Sequence, residues 1–139
     1  MDDKHVYFAW AAPKSITLTA MTHAGDTVWT RDLGTWSSQH GFGTSPILYK
    51  DLVILSNSQE SKEGPPPPSF MMAFDRATGA NRWKTPRNAV NTSYSVPVIF
   101  APASGAEQLV CTNTGDGMFA LDPMSGSPLW SEAFFDKRT

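Results

Sequence analysis

The residues able to do chemistry in this chain are few and scattered. His5, His23 and His40 fall in different places, and no two have the spacing of a metal-ligand pair. Cys111 is the single cysteine. It sits inside an apolar run, cannot form an internal disulfide, and reads as a small buried hydrophobe. The stretch NTGDGM, residues 113–118, has the look of a calcium loop, but calcium wants several oxygen ligands and more than one carboxylate. Only Asp116 qualifies, so a tight Asp116-Gly117 turn is expected there. No Gly-x-Ser-x-Gly stretch supports an esterase-type nucleophile. The triplet Asn91-Thr92-Ser93 fits a glycosylation sequon, a pattern that also arises by chance. The most unusual segment is HGFGTSP, residues 40–46. Gly41 and Gly43 let backbone approach something closely, yet the third glycine of a dinucleotide fingerprint is missing and a strand follows instead of a helix. SYSVP, residues 93–97, occupies the matching place in the next unit. His40, Gly41, Gly43 and Tyr94 are therefore the candidate ligand or partner surface, weighed against simple strand-entry geometry.

The elements that must position these residues are announced by a repeated phrase. AMTHAGDTVW, AFDRATGANRW and ALDPMSGSPLW begin at Ala20, Ala73 and Ala120 and end at Trp29, Trp83 and Trp130, each Trp four residues after a glycine (Gly25, Gly79, Gly126). A phrase recurring in register means stacked similar units. Asp75 and Asp122 open a turn by accepting backbone N–H groups, the glycine supplies positive φ, and the Trp begins the returning strand of a hairpin. The first copy is one residue shorter and has Thr22 in place of the Asp, so its turn should differ in detail. An indole buries roughly 150–250 Å², about 4–6 kcal/mol of gross burial at about 25 cal/mol per Å². One hairpin cannot cover that surface, so a neighbouring unit must, as in stacked repeats.

Short strand-like runs separated by turn signals predict eleven strands and no helix. They are residues 5–11, 15–21 and 27–33; then 45–49, 52–56, 70–75 and 82–85; then 95–100, 108–112, 118–122 and 129–134. The second and third sets hold four strands each, and the first lacks its opening strand. Residues 57–69, polar and then carrying four prolines, predict an exposed loop, because proline donates no ladder hydrogen bond. A proline-recognition motif is the lesser reading of that run.

The 139 residues suffice for one domain; 40% are hydrophobic and 17% charged, which predicts a folded chain. The net charge of −2 and the lack of a basic block make nucleic acid and anionic membrane surfaces poor partners. No apolar run is long enough to span a membrane, and the opening MDDKHVYFAW carries no signal-peptide pattern.

Four antiparallel strands per unit at this spacing is the blade of a β-propeller. The phrases around Trp83 and Trp130, with LVILSN and QLVCTNTGDG before them, resemble the repeat of the pyrroloquinoline-quinone-type (PQQ-like) propeller family. The arrangement also resembles the exported bacterial proteins labelled as similar to the scaffold BamB. The resemblance implies an all-β fold of about three four-stranded antiparallel blades, near residues 1–36, 37–88 and 89–139, as a partial, open arc with an incomplete first blade. It implies packing roles for Ala73, Asp75, Thr78, Gly79 and Trp83, and for Ala120, Asp122, Ser125, Gly126 and Trp130. The first copy keeps Ala20, Gly25 and Trp29.

Since propellers close with four to eight blades, three blades imply either a piece of a larger ring or a ring completed by self-association, and open strand edges favour pairing with other chains. The family also includes quinoprotein dehydrogenases that hold PQQ and calcium. Here the adjacent cysteine pair of many of those enzymes is missing, and no calcium ligand set can be matched. The expected role is thus a non-catalytic binding or scaffolding segment for protein or saccharide, without cofactor. A part of a quinoprotein dehydrogenase and a sensor domain of a signalling protein are the alternatives. The family resemblance implies a periplasmic or envelope location.

Overall fold

The computed structural model describes residues 1–12, 15–61, 63–89 and 91–133. Every regular element among them is a strand: β1 (His5–Ala12), β2 (Ser15–Thr22), β3 (Thr27–Asp32), β4 (Ile47–Tyr49), β5 (Leu52–Asn57), β6 (Ser69–Asp75), β7 (Asn81–Arg87), β8 (Val98–Phe100), β9 (Gln108–Asn113), β10 (Gly117–Leu121) and β11 (Pro128–Glu132). They form three antiparallel meanders, β1-β2-β3, β4-β5-β6-β7 and β8-β9-β10-β11, stacked in an arc that does not close.

The repeated phrase sets the same register in each sheet. Ala20, Ala73 and Ala120 lie opposite Trp29, Trp83 and Trp130, and each pairing is followed by a bulge. Alternation along the strands gives the middle sheet two apolar faces. Tyr49, Leu52, Ile54, Met71, Ala73 and Trp83 face Leu109, Cys111, Phe119 and Leu121 of the third sheet. On the other side Val53, Leu55, Met72 and Phe74 meet Tyr7, Leu18, Ala20 and Trp29 of the first. The core is therefore two slabs between sheets and not one centre.

Each slab is locked by one joint. The indole of Trp29 lies on the turn of the second sheet, so close to Gly79 that a Cβ there would stand 2.7 Å from the ring, and its Nε1–H donates to the Arg76 carbonyl at 3.0 Å. Trp83 repeats this on Gly126, where a Cβ would stand 2.5 Å from the ring, and donates to the Pro123 carbonyl at 3.2 Å. Arg31 and Thr85, two residues past each Trp, donate to the carbonyls of Gly79 and Gly126 at 2.7 Å. Among the described residues the third Trp has no such seat. Trp130 is 40% exposed and donates within its own sheet to Gln108 Oε1 at 2.9 Å.

The turns differ as their sequences predict. Asp75 and Asp122 each accept backbone N–H groups through Oδ1, from Ala77 and Thr78 and from Met124 and Ser125. Their turns close from 75 to 80 and from 122 to 127, whereas the first closes from Thr22 to Asp26.

Three expectations need correction. Residues 57–69 are not wholly exposed: Asn57, Ser58, Gln59 and Glu60 are buried, because their amides and carbonyls bind the preceding connector, Glu60 N–H to Ser37 O at 3.0 Å and Ser37 N–H to Gln59 Oε1 at 3.0 Å. The strands expected from 45 and 95 begin later, at Ile47 and Val98. Pro46 and Pro97 have no N–H for a ladder, and the hydroxyls of Thr44, Ser93 and Ser95 take the local bonds instead. The strand expected over 129–134 spans Pro128–Glu132, with Phe134 outside the described residues.

Candidate functional site

Alternation of antiparallel strands sends the connectors 33–46 and 88–97, the 58–68 loop and the 114–116 turn to one end of the arc, and the Trp-seating turns to the other. At the connector end the centre is Glu60, which is only 3% exposed. Its Oε1 accepts the Gln39 N–H at 2.8 Å and the Ser38 hydroxyl at 3.5 Å, and its Oε2 accepts the Thr92 N–H at 3.4 Å. Thr92 Oγ1 donates to Ser38 Oγ at 2.8 Å, and Ser38 Oγ accepts the His40 N–H at 3.2 Å. One buried carboxylate thus ties the entry connectors of the second and third sheets to each other. Burying a carboxyl group without partners is costly, and three donors offset that cost here.

A second tie lies beside it. Asp116 accepts Arg87 Nε–H at 3.0 Å and Asn88 N–H at 3.1 Å through Oδ2, and Asn88 Nδ2–H at 3.2 Å through Oδ1. Asn113 Oδ1 shapes the turn by accepting the N–H groups of Gly115 and Asp116. The Arg87 guanidinium also stacks 3.7 Å from the Phe119 ring centroid. The Asp116 carboxylate is therefore fully engaged in holding the turn against the second sheet.

Of the four residues proposed from sequence, two are brought together. A Cβ on Gly43 would stand 2.5 Å from Tyr94 Cδ1, so the ring of Tyr94 lies close against glycine backbone. Tyr94 Oη is, among the described residues, the buried side-chain polar atom with no hydrogen-bond partner. His40 and Gly41 are exposed and line a separate shallow groove with Ala11, Ala12, Trp36, Ser37 and Ser38. Trp36 is fixed there by an edge-on contact with Phe42, centroids 5.0 Å apart. A polar groove lined by Gln39, Glu60, Ser61 and Glu63 adjoins it through Ser37 and Ser38.

Sequence reasoning missed Glu60, Ser38, Thr92 and Trp36. Gln59-Glu60 inside a polar stretch looked solvated, and no local pattern marks a carboxylate that binds residues twenty to thirty positions away. Cys111 is buried, and burial pushes its thiol up to about 12. Among the described residues no three His, Cys, Asp or Glu side chains group closely enough to hold a metal ion. Asp116 is engaged and Cys111 is a single buried thiol, so neither offers an open ligand position. No helix among them is long and apolar enough to cross a membrane.

Three meandering antiparallel sheets, stacked face to face through Trp–Gly joints and left open at both ends, define an arc of β-propeller type. The chain is similar in structure to BamB from Moraxella catarrhalis, solved by crystallography, with a TM-score of 0.59 and 14% identity over 96% of this chain and 34% of that one. It spans about a third of the length of that structure, and at this identity the likeness establishes the fold alone. No protein-family model and no curated protein matches the sequence.

Proposed function

We propose that this chain is an arc of a PQQ-like propeller that acts as a non-catalytic binding module, docking a protein partner on the connector end. Blades near residues 1–36, 37–88 and 89–139 supply the scaffold. The carrying observation is the Glu60 tie, which fixes the connectors of two sheets before any partner arrives. A surface already ordered loses little side-chain and loop entropy on binding. It displays the chemistry of a protein contact: Trp36 and His40 on a groove floor of serines, with Gln39 beside them. Aromatic anchors among small hydroxyl residues suit an extended peptide, whose backbone the exposed Gln39 side chain can pair.

The test is a binding screen of the chain against a library of extended peptides and, in parallel, an oligosaccharide array. Peptide binding that falls at least about tenfold in Trp36→Ala and His40→Ala, with the thermal midpoint unchanged, is the expected result. Binding to saccharides alone, or peptide binding indifferent to both substitutions, overturns the proposal.

A further inference from the structure

The Trp–Gly joint is built from two halves, and the chain carries an unused copy of each. The leading half is a Trp, with a donor two residues on; the trailing half is a turn glycine and the carbonyl that follows the turn opener. Trp29 meets Gly79 and the Arg76 carbonyl, and Trp83 meets Gly126 and the Pro123 carbonyl. What remains is Trp130 at one end and Gly25, with the His23 carbonyl, at the other. Gly79 and Gly126 are buried, but Gly25 is exposed, and no described heavy atom lies within 4 Å of where its Cβ would stand. Gly25 nevertheless keeps φ +96, the positive φ its two seated counterparts share at +69 and +71. The open faces around these halves are apolar. On the third sheet Val98, Phe100 and Trp130 are 57%, 52% and 40% exposed, and on the first sheet Phe8 and Trp10, stacked with centroids 5.2 Å apart, are each 41% exposed.

We propose that the 139-residue chain associates head to tail with a second copy of itself, Trp130 of one seating on Gly25 of the other. Its Nε1–H leaves Gln108 and donates to the His23 carbonyl. The surface is distinct from the connector end and does not depend on what binds there. Two copies bring six sheets, within the four to eight that close a propeller ring, so both joints form at once and no face stays open. One position resists. Where Arg31 and Thr85 donate to the facing glycine carbonyl, the third copy has Glu132. An ionised carboxylate only accepts, so it opposes the Gly25 carbonyl and weakens the joint.

Sedimentation velocity on the 139-residue chain over a wide concentration range tests this. A species of twice 15.2 kDa is expected to form as concentration rises. Trp130→Ala removes the indole. Gly25→Asn, a residue that tolerates positive φ, fills its seat. Each is expected to raise the dissociation constant at least about tenfold with the far-ultraviolet circular dichroism unchanged. Glu132→Thr is expected to tighten association by restoring the donor. The decisive measurement mixes the two weakened variants: the Gly25→Asn copy keeps its Trp130, the Trp130→Ala copy keeps its Gly25, and the mixture regains one joint that neither makes alone. A neighbouring sheet of the same polypeptide is the rival occupant, and a chain that stays monomeric at all concentrations overturns the proposal in its favour. Association indifferent to Trp130 and Gly25, such as pairing along the open edge of β1, overturns it as well, as does a mixture that fails to recover.

Discussion

Three glycines in equivalent turns allow the joint to be weighed by one substitution repeated three times. Gly25, Gly79 and Gly126 all have positive φ, so Gly→Ala forces an L-residue into the left-handed region at each, a cost of about 1–2 kcal/mol. At Gly25 nothing else is disturbed among the described residues. At Gly79 the new methyl stands 2.7 Å from Trp29 Cδ2 and Cε3; at Gly126 it stands 2.5 Å from Trp83 Cε3 and 2.6 Å from Thr85 Oγ1. Rings buried to 6% and 7% exposure have little room to retreat, and overpacking adds about 1–3 kcal/mol. The expected losses are thus about 1–2 kcal/mol for Gly25→Ala and about 2–5 kcal/mol for the other two. Urea unfolding reads them as shifts in midpoint at constant slope, and protein dilute enough to be monomeric keeps Gly25 unseated. Against a total stability of about 5–15 kcal/mol the contrast is easily resolved. Equal losses at all three positions would refute the assignment of the joint, because the indole contact exists at Gly79 and Gly126 and not at Gly25.

Asp116→Ala should lower stability by about 3–5 kcal/mol, since Arg87 and Asp116, 9% and 11% exposed, would leave a nearly buried guanidinium unpaired; the thermal midpoint reads this, and Asp116→Asn, which still accepts, should lose less. Cys111 should label slowly with a thiol reagent in the native state and promptly in urea, and Trp83→Ala, which loosens the slab holding both residues, should speed native labelling. The thermal midpoint should fall as pH drops from about 4 toward 2. Asp2 is held at about 2, below its ordinary 3.8, first by the Lys4 N–H, and Asp75 and Asp122 are lowered by the N–H groups of Thr78 and Ser125. A folded value below the unfolded one means stability present above the unfolded value and lost as pH falls through the folded one, so a midpoint unchanged at pH 2 would contradict these turns.

The strands were legible in the sequence because each is short, apolar on alternate positions and closed by a turn with its own chemistry. The structure adds the register, with Ala73 opposite Trp83, where a small residue leaves room for a large one. The extra length of β7, through Arg87, was not legible: Pro86 interrupts the pattern, yet Pro86 and Arg87 still lie opposite Phe70 and Ser69. The connector end was half legible. Gly43 and Tyr94 stood out by residue type and by matching positions in two units. Glu60 did not, because a buried carboxylate and a solvated one look alike until the donors at residues 39 and 92 are placed around it.

The proline-rich segment has a practical consequence. Its two ends are clamped together at the base, Gln59 N–H to Ser69 Oγ at 2.9 Å and Gln59 Nε2–H to Pro68 O at 3.0 Å, while residues 63–66 stand in solvent. Lengthening a closed loop costs little, about 0.6 kcal/mol for each doubling. An epitope tag, a fluorophore or a whole reporter domain spliced between Glu63 and Pro67 should ride on the molecule without touching the stacking of its sheets, which makes this tip the handle by which the protein can be engineered.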